Sequence, residues 1–104
     1  MKTFKLWSDV PNSFEGQCYV GQYMKEYWFK KNTILHREDG PAVICKKGRK
    51  EWLQNDMLHR LDGPAIVHDS GEEYYFIEDN PITDEEYWNH PLVIEHKLNK
   101  ILKL

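Results

Sequence analysis

The ten residues "LHREDGPAVI" (35–44) return almost unchanged as "LHRLDGPAIV" (58–67), and this duplication decides how the chain folds. The two copies lie 23 residues apart, and the same offset aligns Asn32 with Asn55. A fixed period of this size is typical of repeat proteins, in which each unit buries its apolar face only against its neighbours. The residues of an active site would occur only once in the chain, so the duplication favours a structural role over catalysis.

Each copy belongs to a unit whose pattern predicts a β-hairpin. The aromatic-rich stretches "EYWFKKN" (26–32) and "KEWLQND" (50–56) are predicted strands that end in tight turns, because Asn and Asp tolerate positive φ. The stretches "PAVICKK" (41–47) and "PAIVHDS" (64–70) are the predicted return strands. Each begins with proline, at the position of a strand where a missing N–H costs least.

A sharp Asp-Gly-Pro corner precedes each return strand, since Asp-Gly followed by Pro is typical of a turn. We predict structural roles for the residues of both corners, which are Asp39, Gly40, Pro41, Asp62, Gly63 and Pro64.

The His-Arg pairs before the corners admit two interpretations. Arg37 and Arg60 could form a pair of anion clamps together with His36 and His59, because a guanidinium group binds phosphate in a bidentate manner. Alternatively, each arginine braces its own corner by bonding the nearby aspartate or corner carbonyls, and recurrence with the fold favours this interpretation. The two histidines belong to different units and lack a third well-placed ligand, so we expect neither a metal nor a cofactor.

The aromatic strands have two faces, and alternation alone does not say which one is covered. The 23-residue offset places Phe29, Trp52 and Tyr75 in one column, whose regularity is typical of a core. The alternate row is therefore expected to stay exposed and to bind a partner protein or a second copy of the chain. This predicted partner row contains Trp28, Leu53, Tyr74 and Phe76.

The C-terminal segment abandons the repeat and predicts helix. A third unit begins at 72–79, but the motif ends at Pro81, and Thr83 with Glu86 three residues later forms a capping box. The helix is predicted to begin near Asp84, to bend near 90–91 and then to resume. Four aliphatic residues share one face at helical spacing and are expected to lie on the sheet: Ile94, Leu98, Ile101 and Leu102.

The predicted fold is mainly β, and α+β overall: one sheet formed by a meander of β-hairpin repeats and capped by a C-terminal helical segment. A chain of 104 residues is expected to form a single domain, 1–104. Its predicted parts are a degenerate N-terminal unit (1–25), two full repeats (26–49 and 50–72), a partial repeat (73–82) and the helical cap (83–104).

Composition narrows the classes of function. The net charge of −3 argues against a nucleic-acid partner, which would require a basic excess. No apolar run approaches the roughly 20 residues that span a bilayer, so we expect no membrane partner. The first residues do not resemble a signal peptide, and Cys18 and Cys45 have no metal-ligand spacing, so we expect reduced thiols and a cytoplasmic location.

The period, the aromatic strand, the asparagine turn and the "HRxDGPA" corner together resemble MORN-like repeats over roughly residues 26–95. In particular, the chain is similar to the "HREDGPA" variant seen in uncharacterised proteins of tailed bacteriophages and some bacteria. The resemblance implies a sheet of β-hairpin repeats, and MORN repeats in general are credited with binding proteins or lipid surfaces. This chain places His-Arg-x-Asp where glycines usually dominate, a departure that argues against membrane binding.

These observations predict a non-enzymatic protein-interaction module. The resemblance implies a small phage-type protein. By analogy with small phage proteins in general, which usually act by occlusion, we expect it to bind and inhibit a host protein or defence enzyme in the host cytoplasm. The alternative is a small-ligand protein that holds a nucleotide or another phosphate compound at its His-Arg-x-Asp corners. Catalysis is not expected, because no serine lies in a nucleophile elbow and no glycine-rich phosphate loop is present.

Overall fold

The computed structural model describes residues 2–22 and 25–103, and the fold within them is mainly β. Met1, Tyr23 and Met24 of the predicted N-terminal unit and Leu104 of the predicted cap lie outside these residues. A short 3-10 turn spans Trp7–Asp9. The strands are β1 (Lys2–Phe4), β2 (Gly16–Val20), β3 (Lys25–Lys30), β4 (Ile34–Leu35), β5 (Val43–Ile44), β6 (Lys50–Glu51), β7 (Leu53–Gln54), β8 (Met57–Leu58), β9 (Ile66–Val67), β10 (Glu73–Ile77) and β11 (Asn80–Ile82), and the helices are α1 (Asp84–Trp88) and α2 (Pro91–Leu102).

The described strands form a nine-stranded sheet, in the order β1-β2-β3-β5-β6-β9-β10-β11 with β4 also paired to β3, and a separate β7–β8 hairpin. Apart from the parallel β1–β2 pair, the pairings between the described strands are antiparallel. The predicted mainly β, α+β fold is therefore confirmed. Strand β3 pairs with the return strand β5 and with its own hairpin partner β4, so that Tyr27 lies opposite Val43 whereas Phe29 lies opposite Leu35.

The turns recur at the predicted places, with one difference in length. Positive φ angles occur at Asn32 and Thr33, at Asn55 and Asp56, and again at 78–79 in the partial repeat. In the second hairpin Gln54 pairs with Met57 across a two-residue turn, whereas in the first Lys30 pairs with Ile34 across three residues. The first hairpin therefore contains one residue more than the second.

Because of this extra residue, the predicted aromatic column is wrong at its first residue, Phe29. The backbone N–H of Trp28 donates to the Ala42 carbonyl at 2.8 Å, and that of Trp52 donates to the Ala65 carbonyl at 2.7 Å. Trp28, rather than Phe29, is thus the structural counterpart of Trp52.

Two residues of the predicted exposed row are not exposed. Leu53 is only 7% exposed and packs with Ala42 and Val43, so it belongs to the core. Trp28 is half-buried beneath the guanidinium group of Arg37. These two residues of the predicted partner row are therefore unavailable as an open binding surface.

Most of the buried apolar residues in the described part of the chain form three small clusters along the array, as expected when units bury apolar side chains against their neighbours. The buried members of the clusters are, in turn, Val10, Cys18, Val20 and Phe29; Ala42, Val43 and Leu53; and Ile77, Tyr87 and Val93.

The C-terminal helices begin where the capping signals predict them. The hydroxyl of Thr83 accepts a hydrogen bond from the Glu86 N–H at 3.2 Å, which caps α1. His90 caps α2, because its Nδ1 accepts from the Leu92 N–H at 3.1 Å, and Pro91 occupies the first turn of the helix.

The orientation of α2 differs from the prediction. Its buried residue is Val93, at 2% exposure, and this residue packs with Tyr87 of α1 and Ile77 of the sheet. Because α1 and Val93 make the contact with the sheet, the apolar stripe of α2 turns away from it. The four residues expected to lie on the sheet are instead exposed: Ile94 at 45%, Leu98 at 53%, Ile101 at 57% and Leu102 at 80%.

Candidate functional site

The arginine of each repeat lies between an indole ring and a corner. The guanidinium carbon of Arg37 is 3.9 Å from the ring centroid of Trp28, and that of Arg60 is 3.9 Å from the ring centroid of Trp52. Cations favour such positions over an aromatic face. The extra residue in the first hairpin leaves this pairing intact, so both repeats contain the same stacked unit.

The remaining groups of each arginine bond the corner, as the bracing interpretation predicts. Arg37 donates from Nε to Oδ1 of Asp39 at 2.9 Å and from Nη1 to the Pro41 carbonyl at 3.1 Å. Arg60 makes the corresponding bonds to Oδ1 of Asp62 at 2.8 Å and to the Pro64 carbonyl at 2.9 Å.

The corner glycines leave room for this close approach. A Cβ atom added to Gly40 would lie 2.8 Å from the guanidinium carbon of Arg37, and one added to Gly63 would lie 2.8 Å from that of Arg60. Neither glycine has a positive φ, so backbone conformation does not explain the residue type. The repeated His-Arg-x-Asp-Gly sequence therefore encodes a sandwich of indole, guanidinium and glycine backbone.

The histidines connect one repeat to the next. Nδ1 of His36 accepts a hydrogen bond from the Asn55 N–H at 3.1 Å, and Nδ1 of His59 accepts from the Glu78 N–H at 3.1 Å. Both donors lie in the turn of the following hairpin. Burial lowers the pKa of the His59 imidazole, while the negative charge of Glu78 acts in the opposite direction. A neutral imidazole is the form that accepts this bond.

The aspartates in the turns form hydrogen bonds back to the preceding repeat. Oδ1 of Asp56 accepts from the Leu35 N–H at 2.6 Å, and Oδ1 of Asp79 accepts from the Leu58 N–H at 2.6 Å. Together with the histidine bonds, these contacts join each unit to its successor through polar groups. The predicted anion-binding histidines and arginines are thus already engaged by their own fold.

A cleft of about 670 Å³ lies between the two corners and α2. His96 and Lys100 of the helix line it, and Lys100 lies 3.8 Å from Asp62. Burial alone would raise the pKa of Asp62, but the hydrogen bond and charge of Arg60, with the charges of Lys100 and His96, lower it. The hydrogen bond from Arg37 is the main reason that the pKa of Asp39 is lowered.

The three cations in the described lining of this cleft, Arg37, Arg60 and Lys100, are matched by three carboxylates, so the lining carries no excess of positive charge when its histidines are neutral. Within residues 2–22 and 25–103, no three or more His, Cys, Asp or Glu side chains come together as a metal site would require.

Tyr87 is a structural residue that the sequence pattern did not reveal. It is fully buried, and its ring centroid lies 4.6 Å from that of Tyr75. Its hydroxyl donates to the Arg60 carbonyl at 2.5 Å and accepts from the Gly63 N–H at 3.1 Å. Burial raises the pKa of this hydroxyl. Since the third unit has no arginine, Tyr87 covers its aromatic residue and closes the array.

Among the described residues, two uncovered apolar surfaces lie near the C-terminal end. The first, which we name the α2 stripe, consists of Ile94, Leu98, Ile101 and Leu102. Between this stripe and Trp88, which is 48% exposed, lies a groove of about 320 Å³ with Lys97 in its wall.

The second surface, which we name the aromatic cleft, has a volume of about 460 Å³ and includes Tyr74, Phe76 and Pro81. Tyr74 is 44% exposed and Phe76 is half-buried. This cleft brings together two members of the predicted partner row.

Comparison with protein-family models, with curated proteins and with solved structures gave no match. The likeness to MORN-like repeats therefore stays a prediction. No helix within the described ranges is long and apolar enough to cross a membrane.

Proposed function

We propose that this chain is a non-enzymatic module that acts by binding proteins. The observation that carries the proposal is the α2 stripe, which an amphipathic helix holds in solvent although its apolar side chains are of the kind that helices bury. Uncovered apolar patches on small folded proteins mark interaction sites. The aromatic cleft offers a second contact surface, because its exposed Tyr74 and half-buried Phe76 are of the aromatic type that is enriched in protein interfaces.

The state of the polar groups supports binding over chemistry. His36, Arg37, His59 and Arg60 are engaged in corner and inter-repeat bonds, so a nucleotide or phosphate would have to displace the contacts that join the units. This cost weighs against the small-ligand alternative.

The likeness to phage-type repeats supports a host-cell setting for the proposed binding. In that setting the target is a host protein or defence enzyme in the host cytoplasm, and the module inhibits it by occluding a surface. The partner is thus proposed to be a protein, without a cofactor, nucleic acid or membrane.

A pull-down from bacterial lysate tests this function. We expect the tagged wild-type chain to capture a stoichiometric protein partner, with Tyr74→Ala losing a partner held in the aromatic cleft and Leu98→Glu losing a partner held on the α2 stripe. Leu6→Glu is the matched control, because Leu6 is 62% exposed at the other end of the chain and this variant should still capture the partner.

Absence of a stoichiometric partner, or its equal capture by both surface variants, would contradict the proposal. A thermal-shift screen with nucleotides runs beside it, and a rise of several degrees in Tm with a phosphate compound would favour the small-ligand alternative.

A further inference from the structure

This inference rests on the proposed function and concerns the occupant of the α2 stripe. We infer that a second copy of the same chain covers it, so that the protein is a two-fold symmetric dimer. The stripe joins Trp88 across the groove, and the exposed fractions of its residues rise along the helix from 45% at Ile94 to 80% at Leu102. Four aliphatic side chains and an indole are the composition of an interface core.

The charges around the stripe are complementary to one another. Glu85 lies one helical turn before Trp88 and therefore shares its face of α1, whereas the neighbouring Asp84 lines the aromatic cleft. Lys97 lies in the groove wall beside the stripe, and Lys103 follows at the end of α2. The helical segment is thus acidic at its beginning and basic towards its end, and the acidic and basic residues are exposed.

Two-fold symmetry can pair the acidic part of one copy with the basic part of the other. In an isologous dimer, if residue i of one copy meets residue j of the other, then j also meets i. When two such segments pack in opposite directions, the acidic α1 of each copy meets the basic end of α2 of the other. Every favourable charge contact is therefore made twice, around a centre formed by the two stripes.

The same charges argue against other occupants. An anionic lipid surface would attract Lys97 and Lys103, but it would repel the neighbouring Asp84 and Glu85 and a chain of net charge −3. A standard interface buries about 800 Å² on each partner. The stripe and Trp88 supply its apolar centre, and the charged ends of the helical segment supply its rim. Such a dimer would leave the aromatic cleft free for a target protein.

Sedimentation equilibrium over a range of concentrations tests the dimer. We expect wild type to have twice the mass of the 12.5 kDa chain and to dissociate on dilution. Leu98→Glu and Ile101→Glu should each be monomeric while retaining the circular dichroism spectrum and Tm of a folded chain. Leu6→Glu should remain dimeric.

A wild-type chain that is monomeric at every concentration would overturn the inference, and so would a dimer that survives both stripe substitutions. Binding of a monomeric wild-type chain to vesicles containing phosphatidylserine would overturn it in favour of a lipid surface. If the monomer still captures a protein through the stripe in the pull-down, the proposed function stands and only the second copy is rejected.

Charge exchange provides a sharper test of the packing direction. Glu85→Lys and Lys103→Glu should each weaken self-association several-fold, because each places like charges where the α1 of one copy meets the end of α2 of the other. Mixed in equal amounts, the two variants should form a heterodimer more tightly than either variant forms a homodimer. A mixture that associates no better than the separate variants would contradict the antiparallel arrangement.

Discussion

The middle repeats and the C-terminal cap differ in which type of side chain is engaged within the fold and which is exposed. In the repeats, the conspicuous polar residues face inward to structural partners: Arg60 lies over Trp52, and His59 accepts a bond from the next turn. In the cap, the conspicuous apolar residues face outward, and Leu98 is 53% exposed on a helix that buries Val93. Residue type alone is thus a poor guide to function in this chain, because its charged motif is structural and its aliphatic stripe is the available surface.

The largest expected effect lies where the two regions meet. Tyr87→Ala should lower the free energy of unfolding by about 3–5 kcal/mol, as for other large aromatic truncations in cores. The side chain is fully buried and bonds both Arg60 and Gly63. Tyr87→Phe should cost about 1–3 kcal/mol, because it leaves two buried backbone groups without a partner. Urea unfolding measures both values, and a Tyr87→Ala variant as stable as wild type would show that the cap is peripheral to the array.

The next effect tests the corner sandwich. Gly63→Ala should cost about 1–3 kcal/mol, because the new methyl group displaces the Arg60 guanidinium from its position above Trp52. Arg60→Ala should also cost about 1–3 kcal/mol, through the loss of its bonds to the corner.

The two substitutions should not add. In the Arg60→Ala background, Gly63→Ala should have little further effect, since the atom that it collides with is gone. A double-mutant cycle by urea unfolding measures this coupling, and full additivity would reject the sandwich as the reason for the glycine. The corresponding cycle at Gly40 and Arg37 provides an internal repeat of the experiment.

A smaller difference separates the two faces of α2. Val93→Ala should destabilise the chain by about 1.5 kcal/mol, at ~0.8 kcal/mol for each buried CH₂ group. Leu98→Ala should change stability by no more than about 0.5 kcal/mol, as for other surface substitutions, when measured at a concentration where the chain is monomeric. The reverse order of effects would show that the stripe packs on the sheet, as the helical spacing predicted.

The smallest expected effect is a pH dependence carried by the repeats. Because the pKa of His59 is lower in the folded chain, the unfolded chain binds the proton more readily. The contribution of neutral His59 is therefore complete above the unfolded pKa of about 6.5 and is lost as the pH falls towards the folded pKa.

Measurement of Tm against pH should show this loss in wild type and a weaker one in His59→Gln. The pKa values of Asp39 and Asp62 are also lowered in the folded chain, so protonation of these carboxylates at still lower pH destabilises both wild type and the His59→Gln variant. An identical fall of Tm between pH 7 and pH 5 in the variant would contradict the role of His59.

Several parts of the fold could be predicted because they depend on local signals. The 23-residue period predicts the hairpin repeat, and the asparagines mark turns that do have positive φ. Thr83 marks where α1 begins and His90-Pro91 marks where α2 begins, because N-terminal capping depends on a few adjacent residues.

The faces of the sheet could not be predicted in the same way. One additional residue in the first hairpin shifts Trp28 into the place that the 23-residue offset assigns to Phe29. Because side chains alternate along a strand, a shift of one residue exchanges the two faces. The sequence shows the period, but it does not show which hairpin absorbs an extra residue in its loop.

The sequence by itself determined the repeat, its turns and the helical cap, because each of these depends on contacts between residues close together in the chain. Only the tertiary structure decided that Tyr87 and Val93 make the cap's contact with the sheet, and that the α2 stripe therefore faces solvent. An amphipathic pattern establishes that a helix has an apolar face, but rotation of the helix about its axis is set by what it packs against. The surface available to a partner followed from that rotation.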